Sequence, residues 1–291
     1  MHSRRNKIIL VLSILLTLSL ACALPGGEAE PAAVSEDTIA TSVAATLAAG
    51  EADPPPTWTV HPTVTASPPE PDVVYQGVSF AFDDSLADTV NAGTMPGEGD
   101  ANSEMWSTPE HRLFSFNGWV LADAFHTPAI RIYPVAEFRA INSNVSDRLD
   151  ELLTAIDTHP ADEEGIAVAD LFNAGQFMCS QVDYLDFQNG RGVRFLTQYG
   201  QDAYPVGWPN LFYAFQGFTN DGAYYISVIL PVNHPSLPHP DDVTMDNAFY
   251  DNFMTYTAEM SVQLNGEAPG SFVPSLLLLD ELVESLLVEG Q

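Results

Sequence analysis

Apolar positions fall into three patterns along the 291 residues. The first is one run over residues 8–24, broken by Ser13, Thr17 and Ser19. It is short for a membrane-spanning helix, which needs ~20 residues. The second, over residues 23–72, is too sparse in apolar residues to form a core. Within it residues 35–49 place Ile39, Val43 and Leu47 on one narrow stripe, with Ser35 available as a cap. Such a piece is marginal as an isolated helix. Residues 53–72 hold seven prolines and four threonines. Proline favours extended polyproline II, so this reads as a semi-rigid spacer reaching ~60 Å at ~3.1 Å per residue.

The third pattern is that of a folded domain over residues 73–291. Residues 74–82 alternate as a strand, residues 91–110 are polar and read as a long loop, and strand patterns return at 112–121 and 129–133. Residues 145–156 predict a helix with Leu149, Leu152, Leu153 and Ile156 on one face. Two hairpins follow: residues 182–187 and 193–199 around Asn189-Gly190, then 211–218 and 223–232 around Asn220-Asp221-Gly222. These four strands make an antiparallel meander. In the last of them Tyr225 and Ile229 point one way, and Ile226, Val228 and Leu230 the other, so both sheet faces need covers. Met245, Phe249, Phe253, Tyr256, Met260 and Leu264 recur at helical spacing, and a last helix runs from Ser275 to Val288. The expected class is α+β: a central antiparallel sheet covered by helices on both faces, an α/β/α sandwich.

Charge changes the picture. There are 39 acidic residues against 9 basic, a net of −30. Arg4, Arg5 and Lys7 precede the first apolar run; removal of residues 1–21 would leave six arginines against 39 acids, a net of −33. Such a surface repels phosphate backbones, which argues against a nucleic-acid partner. It suits solubility, or an affinity for cations.

The basic start, the apolar run and its end Ser19-Leu20-Ala21-Cys22 resemble the bacterial lipobox, with Ser19 where leucine is usual. The resemblance implies cleavage before Cys22, lipidation of its thiol, and anchoring at the extracytoplasmic face of the cell membrane. Membrane lipid is then one partner; a protein or cell-wall component is another. The resulting organisation is a signal peptide over 1–21, a lipid-anchored linker over 22–72 and a globular domain over 73–291, a layout similar to that of tethered surface lipoproteins. Lipidation of Cys22 would leave Cys179 without an intrachain partner, a buried inert thiol or, if exposed, a link between chains. The folded part resembles the PsbP-like fold in Val78-Ser79-Phe80-Ala81-Phe82 and in the Asn220-Asp221-Gly222 hairpin into residues 224–230. That resemblance implies a central antiparallel sheet closed by helices, and carries no photosystem role.

Chemical motifs are sparse. There is no G-x-S-x-G, S-x-x-K, G-x-G-x-x-G, Walker loop, H-E-x-x-H, C-x-x-C or EF-hand loop, and no cofactor is expected. His234, His239 and Asp241, beside Asp242, are candidate zinc ligands on a proline-stiffened segment that also reads as a plain connection. Asp83, Asp84 and Asp88 offer oxygens for calcium, or a solvated turn. Arg191 and Arg194 could bind an anion or pair with nearby acids. Tyr204, Trp208 and Tyr213 could bind sugar or peptide, or pack over a sheet edge. The function expected is that of a membrane-anchored extracytoplasmic lipoprotein with a non-catalytic binding domain. The alternatives are a secreted hydrolase with dispersed catalytic residues, and a metal-responsive module using His234 and His239.

Overall fold

A computed structural model describes residues 70–99, 107–160, 166–171 and 174–290. Cys22, the signal-like run and residues 23–69 of the expected 22–72 linker lie outside the described residues. No described helix is long and apolar enough to cross a membrane.

The content is mixed α and β, with two antiparallel sheets and a few helices. The larger sheet has seven strands in the order β3-β4-β5-β9-β8-β7-β6. These are β3 (Thr89–Met95), β4 (His111–Asn117), β5 (Ala129–Pro134), β6 (Gly175–Phe187), β7 (Gly190–Gly200), β8 (Phe212–Thr219) and β9 (Tyr224–Pro231). The smaller sheet has the order β1-β2-β10, from β1 (Val73–Tyr75), β2 (Val78–Phe80) and β10 (Leu287–Val288). Helices α1 (Val135–Ile141) and α2 (Ser143–Thr158) follow β5; α3 (Asn247–Asp251), α4 (Phe253–Asn265) and α5 (Leu276–Glu284) follow β9.

The expected meander is present as β6 to β9, each strand pairing with the next. Its turns differ in detail. Gly222 adopts φ +69°, as the second hairpin requires. In the first hairpin Phe187 pairs with Gly190, so the turn is Gln188-Asn189 and Gly190 belongs to the strand. A Cβ on Gly190 would meet the Phe187 ring at 2.0 Å and the Phe218 carbonyl at 2.3 Å, so the glycine serves close packing. The Asn189 side chain docks the chain's end: it donates to the Val288 carbonyl at 2.6 Å and accepts from the Val288 amide at 3.1 Å.

Three expectations need correction. The single strand over 74–82 is a hairpin, because Gln76 and Gly77 both take positive φ (45° and 76°), the pairing a two-residue turn needs. Part of the expected 91–110 loop is β3, an exposed edge strand paired along β4. The last helix stops at Glu284, and Leu287-Val288 pair instead with β2.

Two apolar clusters lie on opposite faces of the large sheet. On one, Phe114, Ile130, Ile132, Tyr213, Phe215 and Val228 meet Val78 and Phe80 of the small sheet and Leu276, Leu279, Leu282 and Val283 of α5. Each such leucine contributes about 1.5–3 kcal/mol when fully buried. On the other, Phe195, Phe212, Ala214, Tyr225 and Ile229 meet Phe138 of α1 and Val145, Leu149, Leu152 and Ile156 of α2. Helix α4 covers less than its pattern suggests. It packs along β6 and buries only Thr257 and Leu264, while Met254 and Val262 stay 76% and 74% exposed.

Candidate functional site

The residues singled out from sequence do not converge. Arg191 and Arg194 are three apart on β7, so their side chains leave opposite faces of the sheet. Arg191 reaches Asp157 of α2 at 2.5 Å, both side chains more than half exposed, a contact of small net value. Arg194 is buried and paired with acids, though its Nε makes no hydrogen bond. It donates to the Gln181 carbonyl, which a β-bulge with Gln181 at φ 52° turns inward. It also pairs with Asp280 at 3.2 Å and Asp183 at 3.5 Å. Tyr213 donates to the same Asp280 oxygen at 2.9 Å. Burial pushes the Asp280 carboxyl up, against the pull of the guanidinium. This is an internal ion pair joining β7 to α5.

His234 is buried and His239 exposed. Around His234, Nδ1 meets Ser236 Oγ at 2.7 Å and Nε2 meets Ser271 Oγ at 2.9 Å. These are the closest approach to a nucleophile–base pair, but the protons run the other way. Ser271 Oγ gives its hydrogen to the Ala268 carbonyl at 2.6 Å, so it accepts from His234 Nε2–H. Nδ1 accepts from the Ser236 amide at 3.2 Å. The imidazole is a clamp between two connections, not a base. His239 Nδ1 accepts from the Asp241 amide at 3.3 Å, capping a short turn over Pro240–Asp242. Among the described residues no group of three or more His, Cys, Asp or Glu could hold a metal ion.

The remaining candidates are equally dispersed. Asp83 accepts from the Ser85 amide at 2.8 Å; the Ser85 hydroxyl, and then this amide, hold its carboxyl below the usual range. Trp208 is half-buried in the connection before β8, while Tyr213 lies inside the core on β8. Cys179 is half-buried on β6 beside Phe177 and Met254.

The structure gathers a different set, which the sequence pattern passed over. Strand β5 alternates: Ile130 and Ile132 enter the core with α5, and Arg131 and Tyr133 point to the other face. Arg131 stands opposite Leu113 of β4 and Ser227 of β9. Ser227 donates to Asp170 Oδ1 at 2.8 Å and Tyr133 to Asp170 Oδ2 at 3.3 Å. Asp170 is set there by the chain over 166–171, itself fastened from below. Gln216 accepts from the Ala169 amide and donates to the Ala167 carbonyl at 2.8 and 2.9 Å; Tyr199 Oη accepts from the Val168 amide at 2.8 Å.

Two imidazoles flank this group. His111 Nδ1 donates to the Pro109 carbonyl at 3.0 Å, and its ring lies 4.5 Å from that of Tyr133. Burial lowers its pKa, and the Arg131 charge adds to the effect. His126 lies between Phe125 and Phe212, ring centres at 5.0 and 4.5 Å, with its buried Nε2 unpartnered. Burial, helped by Arg131, pushes its pKa down to about 4. Beside it Phe125, His126, Leu171, Ala174 and Tyr199 line a cavity of about 250 Å³.

Arg131 differs from every other described arginine. Arg139 bonds Ser146 and Asp150, Arg148 the Val168 and Leu171 carbonyls, and Arg112 the Gln76 and Glu289 carbonyls. Arg191 and Arg194 hold the acids described above. Among the described residues none accepts a hydrogen bond from Arg131 or lies within ion-pair distance of it, and its Nη1 is buried. Asp170, bonded to the cross-strand partner of Arg131, is occupied by two hydroxyls. The arrangement offers donors, an aromatic wall and a neutral imidazole, which suits binding. The chain matches no family model, no curated protein and no solved structure.

Proposed function

We propose that this protein is a lipid-anchored extracytoplasmic binding protein. Its folded part takes up a small ligand in the cavity beside His126 and performs no covalent step on it. The observation that carries this reading is the Phe125–Tyr199 cavity itself: aromatic and apolar side chains together with the polar groups of His126, Gly200 and Gln201, a mixture found in ligand sites. Around it the hydroxyls of Ser227, Tyr133 and Tyr199 are spent on structural bonds, which favours binding over nucleophilic chemistry. The finer architecture we read as an α/β/α sandwich, with α1 and α2 on one face and α5 with the small sheet on the other. The likeness to the PsbP-like fold is part of the same proposal.

Localisation rests on the lipobox-like Ser19-Leu20-Ala21-Cys22 and the spacer behind it. Two acyl chains, at about 0.8 kcal/mol per buried CH₂, would anchor it stably. Cys22→Ala is expected to abolish both labelling by a radioactive fatty acid and recovery in the membrane fraction; a variant that keeps both sinks the anchor. Leu171→Trp fills the cavity and is expected to remove binding of small aromatic probes such as benzyl alcohol, measured by calorimetry on the full-length chain. Unchanged binding would place the ligand elsewhere.

A further inference from the structure

The Arg131 guanidinium has five N–H donors and no acceptor for any of them among the described residues. It is held half-buried against the sheet, where lost hydration must be made good. In a chain of net charge −30 carboxylates are abundant, yet none among the described residues lies within pairing distance. Asp170 is bonded to Ser227 and Tyr133 instead. The same chain segment joins this point to the cavity: Asp170 bonds the cross-strand partner of Arg131, and the next residue, Leu171, lines the cavity wall.

We propose that Arg131 binds the carboxylate of a small organic acid whose flat apolar body lies in the cavity walled by Phe125, His126, Leu171, Ala174 and Tyr199. The inference rests on the small-ligand reading of that cavity. A guanidinium presents paired N–H groups that match a carboxylate in two parallel hydrogen bonds. The cavity's 250 Å³ lies below the ~300–1,000 Å³ of sites for drug-sized ligands, so it suits a single ring. A monoanion fits better than phosphate, because Asp170 and the acidic surface repel a dianion about twice as strongly as a monoanion. The depressed pKa of His126 keeps its ring uncharged at neutral pH, an apolar wall for the ligand body rather than a competing cation.

The test titrates the full-length chain with benzoate, benzyl alcohol and inorganic phosphate, for the wild type, Arg131→Gln and Arg131→Lys. Benzoate is expected to bind the wild type at least 10-fold more tightly than benzyl alcohol, and Arg131→Gln to lose that 10-fold while binding benzyl alcohol as before. Arg131→Lys, which keeps the charge without the fork, should fall between. Equal benzoate affinity in the wild type and Arg131→Gln overturns the assignment of the carboxylate and leaves the cavity reading standing. If neither benzoate nor benzyl alcohol binds, both readings fall. Phosphate binding more tightly than benzoate overturns the ligand class. Thermal unfolding of the unliganded variants gives the second readout: a guanidinium with no hydrogen bond or ion pair to the described residues can be replaced with no loss of Tm. If both variants fail to fold, Arg131 is structural and the proposal is wrong.

Discussion

Arg194 and Arg131 stand on opposite faces of one sheet, and their surroundings are built to different ends. Around Arg194 the chain supplies a bulged carbonyl, Asp280 from α5 and Asp183 from β6. The pair fastens a strand to a helix, although the Arg194 Nε is left without a hydrogen bond. Around Arg131 the described residues supply walls and neighbours but no acceptor, and Asp170 is bonded to Ser227 and Tyr133 instead. A buried polar group left incomplete costs free energy, so one that persists asks for an explanation. The contrast teaches that an unfilled hydrogen-bonding inventory distinguishes these two regions better than charge or motif.

The Arg194 face carries the largest expected effect. Asp280→Ala leaves Arg194 buried beside a lost acceptor and orphans the Tyr213 hydroxyl, and is expected to destabilise by about 3–5 kcal/mol in urea unfolding. A loss below ~1 kcal/mol would mean that the pair holds nothing together. On the other face the expected effect follows pH. His126 has a folded pKa of about 4 against 6.5 for the ordinary group. Above pH 6.5 it is neutral in both states; as pH falls towards 4 the unfolded chain takes up a proton that the folded one refuses, so stability is lost through that window. The loss amounts to about 3 kcal/mol at 1.36 kcal/mol per pKa unit. His126→Phe should flatten that part of the pH profile relative to the wild type. Parallel profiles would show that the imidazole is hydrated and its wall open.

How much of this was legible in the sequence varied with the kind of signal. The β6–β9 meander was readable because Asn-Gly and Asn-Asp-Gly mark turns, and α2 because its leucines keep a 3.6-residue period. The Gln76-Gly77 turn was hidden, since glutamine rarely takes a left-handed conformation and the strand alternation runs on through it. Strand β3 is mostly exposed on both faces, so it carries no apolar alternation to find. Leu287 and Val288 continue the period of α5, and only their pairing with β2 sets them apart. Of the site, Arg131 had a visible trace: a charge in the alternating Ala129-Ile130-Arg131-Ile132-Tyr133, on the side that also carries Tyr133. Asp170 had none, because its partners Ser227 and Tyr133 lie 57 and 37 residues away. His234, by contrast, drew the reading by its spacing to His239, which the fold spends on a clamp and a cap.

The most direct measurement is the unfolding free energy of Arg131→Gln and Arg194→Gln, side by side with the wild type in the absence of ligand. Arg194→Gln is expected to lose about 3–5 kcal/mol, because its carboxylate partner stays buried and uncompensated. Arg131→Gln is expected to stay within about 0.5 kcal/mol of the wild type or to gain, because no hydrogen bond or ion pair to a described residue is lost. Comparable losses in the two variants would show that Arg131 is fastened into the fold like Arg194, and would contradict the division between an ion-paired face and one that awaits a ligand.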